Sequence, residues 1–359
     1  MRTDEFDYTL PQELIAQEPV EPRDHARLMV VRRDTGEIAH YHFYDLPSLL
    51  QPGDVLVGND TRVIPARIFA RKPTGGRVEI LLLVRKDATT WEALVRGHRI
   101  RPGTLLHLEQ DPDIVAEVVA ITPSGGRLLR FNRALNGVLQ QIGHVPLPPY
   151  IRKPLHDPER YQTVYAREEG SAAAPTAGLH FTPRLLADLK QRGIEFYFVT
   201  LHVGLDTFRP ITEAHVEEHR IHTEWAELDV ETAIALNRAK EEGRRVVAVG
   251  TTSVRVLETA THPEHVHGED ARVGWPADVP EDARRGPLVP FRGWTDLYIM
   301  PGFDFRAVDA LITNFHLPRS TLLVLVAAFM GKDLMMRAYE EAIRLRYRFY
   351  SFGDAMLIL

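Results

Sequence analysis

Residues 171–183 read Ser-Ala-Ala-Ala-Pro-Thr-Ala-Gly-Leu-His-Phe-Thr-Pro, and their types suit contact with a small ligand. The Ser, Ala and Gly residues carry so little bulk that a ligand can lie almost on the backbone. One histidine, His180, follows them. Thr182-Pro183 then opens a helix, with Thr as N-cap and Pro at the first helical position. Free N–H groups and the helix dipole at such a start attract a negatively charged group. The same residues also fit a close-packed turn around a core histidine, and this stretch alone does not separate the two readings.

Other polar clusters follow buried strands. Asn59-Asp60-Thr61, His202, Gly250-Thr251-Thr252-Ser253 and Asn314/His316 each stand just beyond an apolar, β-type run. In parallel α/β folds the carboxyl edge of the sheet is where ligands bind, and four such clusters exceed what packing needs. His202 or His316 taken singly fits an orienting role as well as proton transfer. Gly250–Ser253 lacks the lysine and the spacing of a phosphate-binding P-loop, so it is a donor-rich strand-turn-helix element. Arg255 and Glu258, at i and i+3, read as a mutual salt bridge. His215, His219, His222 and Glu224 have the types and helical spacing of a zinc cluster. The surrounding charge (Glu213, Glu217, Glu218, Arg220) favours a polar rim or a solvated helix, and no metal is expected.

The elements that position these residues are legible in outline. Alternating strand and helix patterns, among them strands over 194–202, 246–249, 297–300 and 310–313, predict an α/β fold: a main α/β body with a substantially parallel sheet. Between residues 63 and 149 the texture changes to short β-type runs separated by turn signals such as Thr74-Gly75-Gly76 and Arg101-Pro102-Gly103. That pattern predicts an inserted small antiparallel β-barrel domain. The expected organisation is therefore 1–62 and 150–359 as the main body, 63–149 as the barrel, and 261–290 as a long polar loop.

Composition narrows the function classes. The 359 residues are 44% hydrophobic and 26% charged, as in ordinary globular proteins. Without cysteine there is no disulfide, thiolate nucleophile or cysteine zinc site. No apolar run approaches the ~18 residues of a membrane span and the N-terminus is unlike a signal peptide, so a cytoplasmic location and no membrane partner are expected. The net charge of −6 opposes wholesale nucleic-acid binding, yet residues 62–101 hold ten Lys/Arg against three acids. Arg62, Arg67, Arg71, Lys72, Arg96, Arg99 and Arg101 there form a candidate phosphate-contacting surface. The run 344–350 adds Arg346 and Arg348 among aromatic residues, a composition that suits stacking and backbone contacts.

Together these motifs carry a resemblance. Phe6-Asp-Tyr-x-Leu-Pro-x-Glu-Leu-Ile-Ala-Gln17, Asn59-Asp-Thr-Arg62, Pro146-Leu-Pro-Pro-Tyr-Ile151, Ala173-Ala-Pro-Thr-Ala-Gly-Leu-His-Phe-Thr182, Thr200-Leu-His-Val-Gly204, Thr313-Asn-Phe-His-Leu-Pro318 and Tyr347-Arg-Phe-x-Ser-x-Gly-Asp-Ala-Met356 run nearly end to end. The chain resembles the S-adenosylmethionine:tRNA ribosyltransferase-isomerases of queuosine biosynthesis. The resemblance implies transfer and isomerisation of the ribosyl group of S-adenosylmethionine onto 7-aminomethyl-7-deazaguanine at the tRNA wobble position. The product is epoxyqueuosine, with adenine and methionine released. S-adenosylmethionine is a consumed substrate, so no cofactor is expected; the implied partners are it and the tRNA, with no obligate protein partner.

The sulfonium acidifies the neighbouring C5′ hydrogens, and departing adenine needs a proton. His180, His202, His316, Asp60 and Asp354 are the candidate proton carriers. Ala174, Pro175, Thr176, Ala177 and Gly178, with the helix start at Thr182, are candidates to hold the methionine carboxylate. Gly250, Thr251, Thr252, Ser253 and Asn314 are candidates to fix ribose or adenine. Two features depart from the family pattern: Asp206 stands where Gly is usual, and the 261–290 loop is longer.

Overall fold

The computed structural model describes residues 1–122, 125–135, 137–204 and 210–359. Asp206 lies outside them. The chain divides into two compact units: residues 1–61, 149–168 and 174–359 form one, and residues 62–148 with 169–173 the other. The opening 171–183 stretch is thus split, since residues 169–173 group with the inserted unit.

The larger unit is built on a ten-stranded sheet. In spatial order its strands are Val266–Val273, Phe291–Thr295, Glu224–Leu228, Glu195–Leu201, Val55–Asn59, Val246–Val249, Ala310–Asn314, Ala355–Ile358, Arg27–Val31 and Ile38–His42. The four from Glu195–Leu201 to Ala310–Asn314 run parallel. Three of these, Val55–Asn59, Val246–Val249 and Ala310–Asn314, are buried at every position. Continuous apolar runs such as Val246-Val-Ala-Val249 therefore become two-face-covered strands. Ala355–Ile358 then runs antiparallel to Ala310–Asn314, with Asn314 opposite Ala355. As a result, residues that precede Ala355 reach the edge where the parallel strands end.

Helices Pro183–Gln191, Val230–Glu241 and Thr321–Met330 begin at Thr182, Asp229 and Ser320, whose side chains each accept from the backbone N–H three residues on. The helix Thr321-Leu-Leu-Val-Leu-Val-Ala-Ala-Phe-Met330 is apolar nearly all round and buried for it. One core cluster joins Leu28, Phe43, Leu56, Ala177, Phe181 and Ile312 under this edge.

The smaller unit is a closed, wholly antiparallel barrel. Its six strands are, in order, Arg127–Phe131, Thr90–Arg96, Arg77–Arg85, Arg67–Arg71, Leu105–Leu108 and Val115–Ile121. Runs such as Arg67-Ile-Phe-Ala-Arg71 alternate buried and partly exposed residues, as a filled barrel requires.

Two expectations need correction. Within 261–290, Val266–Val273 is a strand paired with Phe291–Thr295. It is an edge strand exposed on both faces, so it lacks the alternation that marks strands in sequence. The strand expected at 297–300 is instead Phe291–Thr295, and the short partner Glu224–Leu228 carries too much charge to be read as buried β.

Candidate active site

Each of the four parallel strands delivers a polar cluster to one edge. Asn59 is fully buried and ties two strand ends together, donating from Nδ2 to the Leu201 carbonyl (2.9 Å) and accepting on Oδ1 from the N–H groups of Leu201 and Thr61 (both 3.1 Å). Asp60 is 1% exposed. Its Oδ1 accepts from the Thr200 hydroxyl at 2.8 Å and its Oδ2 from Arg167 Nε at 2.7 Å. Burial pushes the Asp60 carboxyl up, against the pull of Thr200 and Arg167.

His202 stacks on Trp225 at 5.0 Å, and its Nδ1 lies 2.8 Å from the Thr61 hydroxyl oxygen. That hydroxyl also faces the Glu168 carbonyl at 3.3 Å. A carbonyl can only accept, so the hydroxyl hydrogen goes to Glu168 and His202 Nδ1 donates to Thr61. Nε2 is left with its lone pair. Burial lowers the ring to about 4, outweighing the nearby Glu224 charge, so His202 is neutral at pH 7.

His316 and His180 are buried more deeply, and burial leads in lowering both to about 3. His316 Nε2 lies 2.7 Å from the Thr313 hydroxyl, its N–H donates to the Tyr339 hydroxyl (2.9 Å), and its carbonyl accepts from Tyr8. His180 stacks on Phe43 at 4.9 Å and approaches Asn314 Nδ2 at 3.3 Å. It ends the short 3₁₀ turn Thr176–His180, which lies along the same edge. A Cβ on Gly250 would stand 3.6 Å from Ala177 Cβ, so this turn and the Gly250–Ser253 turn meet.

Gly250 is at φ +91°, a conformation that glycine adopts freely, and it starts the helix Thr251–Thr261 without a side-chain cap. Ser253 is spoken for, donating to the Val249 carbonyl at 2.9 Å. The Thr252 and Tyr298 hydroxyls are buried without a partner among the described residues and line one cleft with Thr251, Arg255, Glu224 and Leu297.

The edge also holds an ion pair that spacing hid. Arg255 does not bond Glu258. Its Nη1 meets Glu224 Oε2 at 2.6 Å, and its remaining N–H groups serve the carbonyls of His222, Thr295 and Leu297. Burial pushes the Glu224 carboxyl up, yet His222, Arg255 and the Gly204 N–H together hold it at about 2. Glu258 instead accepts from the N–H groups of Arg306, Ala307 and Val308. A buried pair 31 residues apart in sequence leaves no local signal.

Other site residues have protein partners. Asp354 does reach this edge, but it accepts from Arg27 N and Nε and from Arg348 N, a clamp on two chain segments. At the helix start, Thr182 caps Leu185 and donates to Asp24 Oδ2 at 2.8 Å, so the carboxylate there is the chain's own. Gly178 exists for packing, since a Cβ there would stand 2.2 Å from the Tyr165 hydroxyl. The sequence reading missed Asp24, Tyr165 and Tyr298, none of which belongs to a spaced motif.

The histidines of 215–222 are not gathered around one point. His215 faces Glu218, His219 faces Glu213 and His222 faces Glu224. Only Val216–Glu218 is helical there, a single 3₁₀ turn, so the helical faces that would align them do not form. Among the described residues no metal-binding group of three or more such side chains occurs.

On the barrel unit, Arg67 pairs with Glu79 and Arg71 with Glu109, while Lys72 donates to the His98 carbonyl. Arg62 is half-buried, and Arg96, Arg99 and Arg101 are exposed. On the larger unit, Arg348 donates to the Glu18 carbonyl and Arg346 lies 3.8 Å from Glu13.

A family model described as "Queuosine biosynthesis protein" matches residues 3–358. The chain belongs to that family. It is 52% identical over 364 residues to the S-adenosylmethionine:tRNA ribosyltransferase-isomerase of Moorella thermoacetica, and 53% identical over 363 residues to that of Symbiobacterium thermophilum, each match covering 100% of both chains. The crystal structure of the Thermotoga maritima S-adenosylmethionine tRNA ribosyltransferase is similar at 42% identity and TM-score 0.54, over 99% of this chain and 100% of that one. This family member is a transferase-isomerase acting in tRNA modification. Among the described residues no helix is long and apolar enough to cross a membrane.

Proposed function

We propose that the enzyme transfers and isomerises the ribosyl group of S-adenosylmethionine onto 7-aminomethyl-7-deazaguanine at the tRNA wobble position, in the cytoplasm. Epoxyqueuosine-tRNA forms, and adenine and methionine leave. S-adenosylmethionine is consumed, and no resident metal or cofactor takes part. The observation that carries this reading is the edge itself, where His202, Asp60, the Gly250–Ser253 turn and Asn314 stand on adjacent strand ends.

His202 is the proposed base. Its Nδ1–H is committed to Thr61, its Nε2 lone pair meets no donor among the described residues, and its ring is neutral at pH 7. A C5′ hydrogen beside the sulfonium passes to that nitrogen. Asp60, held on the adjacent strand end by Thr200 and Arg167, is the proposed second polar group of the reaction, facing the departing adenine.

The test mixes the protein, S-adenosylmethionine and tRNA carrying the 7-aminomethyl-7-deazaguanine base, and follows adenine by chromatography. Adenine release that depends on that tRNA is expected, and it falls by roughly 10²–10⁴-fold in His202→Ala. Methylated tRNA, or no adenine, overturns the reaction; near wild-type release by His202→Ala overturns the base.

A further inference from the structure

Asn314 closes the strand Ala310–Asn314, 2% exposed. Its Nδ2 lies 3.1 Å from the Tyr350 carbonyl oxygen and 3.3 Å from His180 Nε2. The Tyr350 carbonyl can only accept, so it determines which way round the amide sits. That acceptor is itself fixed by backbone. Tyr350 is at φ +71°, its N–H reaches the Phe315 carbonyl (3.2 Å), and its carbonyl also accepts from Gly353 N at 2.9 Å. Asn314 Oδ1 is buried with no donor among the described residues, so no competing bond turns the amide over.

With one amide hydrogen on Tyr350, the other points at His180 Nε2, which must carry a lone pair. A neutral imidazole with a bare Nε2 has its proton on Nδ1. No described protein group accepts that proton, and the ring lines a small cleft with Arg23, Arg160, Ser351 and Phe352. The charged groups around it are cations. Arg23 and Arg348 act on the ring electrostatically and Arg160 lines the cleft, while Phe43 covers one ring face. Such surroundings disfavour an imidazolium.

We infer that Asn314 is a positioning residue that locks His180 in its Nδ1–H form, so that His180 offers a fixed hydrogen-bond donor to an oxygen acceptor of the substrate and does not transfer a proton during the reaction. The identity of that substrate rests on the ribosyl-transfer reading; the tautomer does not. An oxygen acceptor can come from the donor's carboxylate or from a carbonyl on the acceptor base.

Two experiments decide it. Long-range ¹H–¹⁵N NMR on the full-length protein with ¹⁵N-labelled histidine, His180 being assigned by difference with His180→Gln, reads the tautomer directly. The Nδ1–H form without titration between pH 5 and 8 is expected, and Asn314→Ala shifts the population towards Nε2–H. An Nε2–H ring in the wild type, or one that titrates in that range, overturns the inference. For function, an asparagine side-chain N–H overlays imidazole Nδ1 and cannot relay a proton. His180→Asn is therefore expected to stay within about tenfold of wild type, while His180→Ala loses roughly 10- to 100-fold, the worth of a hydrogen bond to a charged or polar acceptor. The loss appears in the KM for S-adenosylmethionine if its carboxylate is the acceptor, and in the KM for tRNA if the base is. His180→Asn as inactive as His180→Ala, or unchanged KM values in His180→Ala, overturns the inference. If the wild-type protein releases no adenine at all, the functional reading falls while the NMR result stands by itself.

Discussion

Burying an imidazole penalises only its charged form, so a histidine sealed under a sheet edge is a neutral group with a fixed pattern of donors and acceptors. His180 and His316 are lowered to about 3 and His202 to about 4, against 6.5 in the unfolded chain. Below pH 6.5 the unfolded chain therefore binds protons that the folded one refuses. Stability is complete above that pH and is lost as pH falls from 6.5 towards 3 to 4. Each ring contributes a slope of at most about 1.4 kcal/mol per pH unit. The urea midpoint should therefore drop steadily between pH 6.5 and 4.5, and His316→Asn should flatten that decline. A midpoint independent of pH over this range would show that the rings charge in place. The three histidines were legible in the sequence as candidates, because each follows a small or apolar run. The groups that set the tautomers of His202 and His180 were not, because Glu168 and Tyr350 act through Thr61 and Asn314 and no spacing rule connects them to those rings.

At the scale of elements, the 3₁₀ turn Thr176–His180 sits where it does because two glycines remove side chains around one tyrosine. The Tyr165 hydroxyl would stand 3.0 Å from a Cβ at Gly58 and 2.2 Å from one at Gly178. That hydroxyl is buried and has no partner among the described residues. Gly178→Ala should therefore cost about 1–3 kcal/mol by overpacking. Tyr165→Phe, which deletes an unsatisfied polar atom, should be close to neutral. The double variant Gly178→Ala/Tyr165→Phe should recover only part of the loss, since the shortest contact is with that oxygen but Thr163 Cγ2 would still stand 2.8 Å from the new Cβ, and a double-mutant cycle by chemical denaturation measures the coupling. Additive effects would mean that the turn is held by something else. The helix start beside it was plain in advance: Thr182 caps Pro183–Gln191 as its sequence context requires. The glycine was read as room for a ligand, because its neighbour Tyr165 is distant in the motif and only the fold brings the two together. Strand Val266–Val273 escaped for a different reason, as an edge exposed on both faces has no hydrophobic period to read.

For the molecule as a whole, charge count and charge availability are different quantities. Ten basic residues between 62 and 101 suggest a broad phosphate surface. In the fold Glu109, from outside that window, takes both Arg71 and Arg77, and Glu79 takes Arg67. Arg96, Arg99 and Arg101 remain exposed along 96–101, and Arg99 is held at φ +55°. If the barrel unit contacts tRNA phosphates, these three carry the electrostatic part of the affinity. Replacing all three with Ala should weaken tRNA binding uniformly across tRNA sequences and reduce the slope of log K against log salt by about 2, since each phosphate contact contributes roughly 0.7–0.9. Replacing Arg67 and Arg71 should change that slope much less, because breaking an existing ion pair offsets the lost contact. The rate at saturating tRNA should be unchanged in the triple variant, as none of these residues belongs to the catalytic edge of the other unit. Filter binding across a salt series separates the outcomes: an unaltered slope in the triple variant would remove the barrel's arginines from the tRNA interface and leave Arg346 and Arg348 as the cations to examine.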